Sequence, residues 1–140
     1  MKQYIVDSGN INNDSIYYEF KKNNSIVGCF SKQCHYCLEM KPEWRKLKKR
    51  LKKLNTECIF IEIEAEFLDK LAIPEISNRV NGFPSIMLFK KGKFYKTFQG
   101  KRTSNEMFKF LKPLLILKKN KTQAKKKHKL NVTKRKILKF

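Results

Sequence analysis

Residues 26–37 read IVGCFSKQCHYC, a continuous apolar run that leads directly into two cysteines separated by two residues. The run from Ile26 to Ser31 predicts a strand in the middle of a sheet that is covered on both faces. A helix is predicted to begin at about Cys34, which places Cys34 and Cys37 on one face of one turn. The positive end of that helix favours the thiolate of Cys34, the reactive form of the thiol. The stretch therefore predicts dithiol–disulfide chemistry at the end of a central strand.

The remaining chain supplies the other elements of one domain. Strands are predicted at residues 4–6, 58–64, 85–89 and 94–98, and helices at residues 15–22, 34–54 and 70–79, with a last helix opened by Thr103 and Glu106. In the long helix, a buried stripe is expected from Trp44, Leu47, Leu51 and Leu54, and a kink at Pro42. The order β-α-β-α-β-α-β-β-α predicts an α/β fold with a mixed central sheet and helices on both faces.

The charge is strongly basic and unevenly distributed. The chain has 140 residues and a net charge of +21, and eleven of its 33 basic side chains lie in residues 118–140, which hold no acidic residue. We predict a folded domain at residues 1–117 and a disordered Lys-rich tail at residues 118–140. The tail is a candidate nucleic-acid or polyanion site and resembles a nuclear import signal, through Lys125, Lys126, Lys127, Lys129, Lys134, Arg135 and Lys136. A solubilising tail, an anionic membrane and acidic partners remain alternatives.

The positions of the cysteines and of the apolar runs indicate where the protein is located and whether it holds a metal. Cys29 and Cys58 sit inside apolar runs and are expected to be small buried side chains. No apolar run is long enough for a secretory signal or a membrane span, so an intracellular, cytoplasmic protein is expected. Cys34, His35 and Cys37 are zinc-ligand types, but the sequence lacks a second ligand pair, since Cys29 lies in a strand and His128 in the tail. Structural zinc, or a metal cluster shared between two subunits, is therefore a minor alternative.

Several motifs together resemble the thioredoxin superfamily, and within it the protein disulfide isomerase branch. They are Cys34-x-x-Cys37, Pro42 five residues later, the turn Gly82-Phe83-Pro84-Ser85 before an apolar strand, and the run Gly100-Lys101-Arg102-Thr103. The resemblance covers roughly residues 3–112 and implies a thioredoxin-like fold. It also implies that no organic cofactor is needed, because the electrons are carried by the Cys34–Cys37 disulfide.

The resemblance implies a role for each motif residue. Cys34 would attack a partner disulfide, and Cys37 would resolve the mixed disulfide. Pro84 would be cis and shape the substrate groove, leaving the Phe83 backbone free to pair with an extended segment. Arg102 would tune Cys37. His35 and Tyr36, between the two cysteines, would tune the site, with His35 stabilising the Cys34 thiolate.

Three features depart from the family pattern. One is the pair His35-Tyr36 between the cysteines, which is neither the Gly-Pro of thioredoxins nor the Gly-His of isomerases. Gln33 stands where the family usually has Trp, which removes an aromatic wall from the groove. Gly28 stands where the family usually has a buried Asp or Glu that relays the proton of the resolving thiol. Deprotonation of Cys37 is therefore expected to be slower, unless water or another group substitutes.

The sequence leaves a second function open. A non-catalytic thioredoxin-fold binding module, tethered by its basic tail, would explain Gln33 and Gly28, although such modules usually lose a cysteine. The preferred interpretation is a monomeric thiol–disulfide oxidoreductase that acts on protein thiols and disulfides. A large DNA virus is a hypothesis for the source. In that case the redox partner would be a sulfhydryl oxidase and the substrates virion proteins; a reductase partner is the alternative.

Overall fold

A computed structural model describes residues 1–8 and 11–115. The strands are β1 (Gln3–Val6), β2 (Ser25–Phe30), β3 (Ile59–Glu64), β4 (Ser85–Lys90) and β5 (Lys93–Thr97). The helices are α1 (Asn13–Lys22), α2 (His35–Lys52), α3 (Leu68–Leu71), α4 (Pro74–Ser77) and α5 (Ser104–Leu111), with 3-10 turns at Ala65–Phe67 and Lys112–Leu114. The tail residues named above lie outside the described residues, so the predictions about them stay predictions.

The five strands form one mixed sheet in the order β1-β3-β2-β4-β5. β1, β3 and β2 run parallel, whereas β4 and β5 are antiparallel to their neighbours. β2 lies at the centre, with Gly28 in register with Glu62 of β3 on one side and with Ile86 of β4 on the other. The predicted α/β fold with a mixed sheet is confirmed.

Alternate side chains of the central strands build a core on each face of the sheet. Val27, Ile61 and Met87 belong to one buried cluster, with α1 and α4 packed over it. Ile26, Phe60 and Leu88 belong to the other, which is covered by α2 and α5. Because successive strand residues point to opposite faces, the nearly continuous apolar strands of the sequence supply both cores.

Helix α2 carries the predicted apolar stripe into the second core. Trp44, Leu47 and Leu51 are buried, and α2 continues through Pro42. Leu54, the fourth predicted member, lies beyond the end of the helix and is only partly buried. Several lysines and arginines occupy the opposite, exposed face of the helix, so its apolar and basic residues are separated.

The predicted helix over residues 70–79 is wrong as a single element. The chain instead forms a 3-10 turn and the two short helices α3 and α4. Ala72 has a φ of 54°, in the left-handed region, and ends α3. Pro74 has no N–H to donate, so it opens α4 at its first turn rather than continuing α3.

Local sequence explains the last two elements directly. Lys91 and Gly92 have φ values of 47° and 80°, as a two-residue hairpin turn between β4 and β5 requires. The Thr103 side chain accepts a hydrogen bond from the Glu106 N–H at 3.2 Å and caps α5. Among residues 1–8 and 11–115, no helix combines the length and apolar character needed to cross a bilayer.

Candidate active site

Cys34 lies where the central strand ends and α2 begins. It is the N-cap residue of α2, and its N–H donates to the Ser31 carbonyl oxygen at 3.2 Å. The site therefore rests on the most deeply paired strand of the sheet and on the N-terminus of an 18-residue helix. Both elements are rigid supports for a reactive side chain.

The sulfur of Cys34 is held from two sides and is partly exposed. It accepts a hydrogen bond from the Cys37 N–H at 3.2 Å, so the thiol itself caps the helix. It also donates to the carbonyl oxygen of Phe83 at 3.3 Å. The Cys34 sulfur thus lies at the N-terminus of α2 and in contact with the Phe83 turn at the same time.

Cys37 lies directly behind Cys34 and is almost fully buried, with 1% of its surface exposed. Burial raises the pKa of the Cys37 thiol to about 11, and the hydrogen bond with Cys34 adds to the effect. The Ser31 N–H, 3.5 Å from the Cys37 sulfur, and the charge of Lys41 lower this pKa. One thiol is thus accessible and the other is protected and protonated.

The turn opposite the thiols contains a cis peptide bond between Phe83 and Pro84. Ser85 follows it and donates its hydroxyl to the Gly82 carbonyl oxygen at 2.6 Å. Beside this turn lies an open cleft of about 400 Å³, lined by Arg79, Asn81, Gly82, Phe83, Pro84, Ser85, Thr97 and Gln99. Phe83 lines this cleft, and its carbonyl oxygen lies 3.3 Å from the sulfur of the partly exposed Cys34.

The residues between the two cysteines face outward. Tyr36 is 60% exposed, and the Arg102 guanidinium carbon lies 5.5 Å from the centre of its ring. A second cleft of about 400 Å³ opens there, lined by Tyr36, Glu39, Met40, Gly100, Lys101 and Arg102. His35 Nε2 lies 2.8 Å from a carboxylate oxygen of Glu39. Arg102 therefore lies beside Tyr36, at the edge of the second cleft. The predicted effects of Arg102 on Cys37 and of His35 on Cys34 stay predictions.

The space behind Gly28 is filled by Trp44. A Cβ atom at Gly28 would lie 2.6 Å from two carbon atoms of the indole ring. The indole N–H donates to Glu62 Oε1 at 2.6 Å, and Glu62 is itself buried. The helical spacing of Trp44 predicted a core residue, which is confirmed, whereas Glu62 was not predicted to be a site residue. The available signal was a lone carboxylate in the otherwise apolar run Ile59 to Ile63 of a buried strand.

The other two cysteines are buried as predicted. Cys29 lies in β2 and Cys58 just before β3, and neither forms a disulfide within the described residues. Cys58 donates to the Leu114 carbonyl oxygen at 3.0 Å. Within the described residues, no cluster of three or more His, Cys, Asp or Glu side chains could hold a metal ion.

The reduced protein is expected to lose stability above about pH 9. Burial raises the pKa of Cys29 to about 12, whereas the ordinary value is 9.0. The folded state therefore retains a proton that the unfolded chain releases, so this stabilisation is complete below about pH 9 and is lost as the pH rises towards 12. Urea unfolding of the reduced protein from pH 8 upward measures it, and Cys29→Ala should show a weaker decline. Equal pH slopes in the two proteins would contradict the prediction.

Comparison with known proteins identifies the domain. The thioredoxin family model matches residues 10–113, most of the chain. A thioredoxin domain-containing protein of Acanthamoeba polyphaga mimivirus is 27% identical over 89 residues, which are 62% of this chain and 25% of that protein. The chain thus spans about a quarter of the length of this viral relative.

Solved structures show the same fold at low sequence identity. The zinc-bound form of human ERp44 has a TM-score of 0.63 at 13% identity, covering 81% of this chain and 30% of that one. The first two thioredoxin domains of Naumovozyma dairenensis Eps1p give 0.60 at 23% identity, covering 76% and 42%. Oxidised thioredoxin from Plasmodium falciparum gives 0.56 at 18% identity, covering 80% and 97%.

Proposed function

This chain belongs to the thioredoxin family, and from that membership we propose that it exchanges disulfides with protein substrates through Cys34 and Cys37. Thioredoxin-family proteins act on protein thiols and disulfides through a redox-active disulfide and without an organic cofactor. The observation that carries the proposal is the asymmetry of the two thiols. Cys34 is partly exposed at a helix N-terminus, and Cys37 is buried behind it.

The different exposure of Cys34 and Cys37 supports a different role for each thiol in the exchange reaction. The Cys34 thiolate attacks a partner disulfide, forming a Cys34–partner bond and releasing the partner's other sulfur as a thiolate. Cys37 is shielded from partners by its burial, so it reacts with the sulfur beside it. It attacks Cys34, forms the Cys34–Cys37 disulfide and releases the reduced partner. The reverse sequence delivers a disulfide to a reduced partner.

The cleft at the Phe83–Pro84 turn is the proposed binding site for an extended protein segment. Its wall includes Thr97 and Gln99, on the side of β5, together with the turn itself. A segment in this cleft would align its disulfide with Cys34, since the Phe83 carbonyl lies 3.3 Å from the Cys34 sulfur. Tyr36 and Leu38, two exposed hydrophobic side chains near the thiols, supply apolar contact area.

Equilibration with glutathione redox buffers tests the proposed function. We expect wild type to show a single two-electron transition in its free-thiol count and Cys34→Ser to show none. A midpoint near roughly −270 mV would indicate a reductase, and one near roughly −180 mV or above an oxidant or isomerase. Cys29 and Cys58 are buried and should contribute no transition. If wild type also shows none, the proposed activity is wrong.

A non-catalytic binding module is the second candidate. It is favoured by Gly28, because the buried acid that assists the resolving thiol in the family is missing at that position, and by the raised pKa of Cys37. Under this alternative, the domain would bind protein segments in the same cleft, and its thiols would stay unreactive in the glutathione titration. Cleft binding that Cys34→Ser leaves unchanged would support it.

Isomerase specificity, a sulfhydryl oxidase or reductase as redox partner, virion substrates and a monomeric state are further proposals. The viral relative is compatible with a viral redox system. An intracellular location and polyanion binding by Lys125–Lys129 and Lys134–Lys136 stay predictions.

A further inference from the structure

A buried carboxylate of the neighbouring strand lies beside position 28, where the family usually has its acid. Glu62 of β3 is the register partner of Gly28, and its side chain is buried. It accepts hydrogen bonds from the Trp44 indole N–H at 2.6 Å and from Lys48 Nζ at 3.2 Å. Because this carboxylate has two close donors, its charge is compensated inside the protein.

Lys41 connects that buried carboxylate to the site. It lies four residues after Cys37 in α2, so the two side chains share one face of the helix. Its side chain is only 26% exposed, and Nζ lies 3.7 Å from Glu64 and 4.0 Å from Glu62. The same ammonium lies 4.4 Å from the centre of the Phe30 ring. Two carboxylates and an aromatic face thus hold Lys41 in one position.

Lys41 is the positively charged group that acts on the Cys37 thiol, and it can compensate a negative charge on that sulfur. Cys34 and Lys41 are the titratable groups that act on the Cys37 thiol, and Lys41 is in turn paired with the two β3 carboxylates, Glu62 and Glu64. The other groups around Cys37 are uncharged. The Phe30 ring of β2 and Ile86 of β4 belong to the same buried cluster as Cys37, and the Ser31 N–H, just after β2, donates to its sulfur. Glu39 is exposed and paired with His35.

We infer that Lys41, anchored by Glu62 and Glu64, is a positioning residue whose ammonium stabilises the Cys37 thiolate when Cys37 resolves the mixed disulfide. The inference rests on the proposed function. In this step the Cys37 thiol gives its proton to solvent, and the thiolate attacks the Cys34 sulfur. The Cys34–Cys37 bond forms, the Cys34–partner bond breaks, and the partner leaves as a thiolate that takes up a proton. The positive charge of Lys41 offsets the negative charge that appears on Cys37 in this step.

Ellman's reagent, an aromatic disulfide, separates the two steps in the full chain. Attack by Cys34 releases a first equivalent of thionitrobenzoate and leaves the second on Cys34. Attack by Cys37 then releases the second, at a rate that follows the Cys37 thiolate. Lys41→Met removes the charge and keeps the apolar stem. Lys41→Arg restores the charge. Lys49→Met is the matched control, because Lys49 is an exposed lysine of the same helix.

We expect Lys41→Met to slow the second release about threefold at neutral pH and to leave the first unchanged. Loss of the Lys41 charge should raise the pKa of the Cys37 thiol, so a smaller fraction of it is thiolate, and a threefold slower release corresponds to a thiolate fraction about tenfold smaller. The more basic thiolate is intrinsically more reactive, which recovers about half of that loss on a logarithmic scale. The deficit should be the same at every pH between 7 and 9, because the thiol titrates only near pH 11 and both proteins gain thiolate in proportion below that value. Lys41→Arg and Lys49→Met should follow wild type.

Equal second-release rates in wild type and Lys41→Met would overturn the inference, as would a deficit that Lys41→Arg does not restore. If Lys41→Met does not fold, Lys41→Gln gives the same comparison with a polar neutral side chain. The proposed function fails separately: in that case wild type itself never releases the second equivalent.

Discussion

Replacing Cys37 with serine is expected to stop turnover and to trap the protein on its partners. Cys34 keeps its helix N-terminus and its contact with the Phe83 carbonyl, so it still attacks a partner disulfide. The serine hydroxyl cannot attack the Cys34 sulfur in return, so the mixed disulfide persists. Disulfide exchange with a protein substrate should fall to the rate without catalyst. Mass spectrometry should find one partner adduct per chain, at Cys34.

The controls for this prediction use the other cysteines. Cys34→Ser/Cys37→Ser should trap nothing, and Cys29→Ala should trap nothing while retaining turnover, since Cys29 is buried in β2. If Cys37→Ser turned over at the wild-type rate, Cys37 would have no role in the reaction. An adduct on Cys29 or Cys58 would show that the accessible thiol had been assigned wrongly.

Introducing the family's acid at position 28 is expected to destabilise the protein rather than to activate it. The first side-chain atom of Gly28→Asp would lie 2.6 Å from the Trp44 indole and 2.9 Å from the Phe30 ring. The indole cannot easily move away, because it packs against Phe30 and Phe60 with ring centres 5.1 and 4.6 Å apart and donates to Glu62. The new carboxylate would also lie on the strand position paired with Glu62. Two negative charges would then share one buried region.

Each of these effects has a magnitude. Overpacking a core costs about 1–3 kcal/mol, and a buried charge without a partner costs several more. The free energy of unfolding should therefore fall by about 3 kcal/mol or more, a large part of the roughly 5–15 kcal/mol typical of a domain. Urea unfolding measures it. Gly28→Ala is the matched variant, and its free energy of unfolding should fall only by the amount that overpacking costs. A Gly28→Asp protein as stable as wild type would contradict this account of the Trp44 contact.

The packing around Gly28 explains why a glycine stands where the family usually has a buried acid. The indole occupies the volume that a side chain at position 28 would need. The buried carboxylate is supplied from β3, and a lysine of α2 carries positive charge towards the resolving thiol. Charge is therefore present behind the dithiol in a different arrangement, which only side-chain packing reveals.

Several features of the fold were predictable because they depend on local sequence. The apolar run of β2 ending at the cysteines, the stripe of Trp44, Leu47 and Leu51, and the turn at Lys91 and Gly92 each act over a few residues. Hydrophobic periodicity and turn chemistry are local properties, so they can be read without the tertiary structure. The helix predicted over residues 70–79 failed because the left-handed conformation of Ala72 has no clear local signal: a non-glycine residue rarely adopts it.

The sequence by itself determined the order of the elements, the two thiols at the start of a helix and the cis-capable Phe83–Pro84 turn, since these follow from residue type and spacing along the chain. The family resemblance already implied that Cys34 is the exposed thiol and Cys37 the buried one. Only the tertiary structure decided how deeply Cys37 is buried, that the Phe83 carbonyl lies 3.3 Å from the Cys34 sulfur, and that Trp44, Glu62 and Lys41 meet behind the site. The physical reason is that burial, charge compensation and the pKa of a thiol depend on neighbours from different strands and helices. Those neighbours are set by sheet register and helix packing, which spacing in the sequence does not specify.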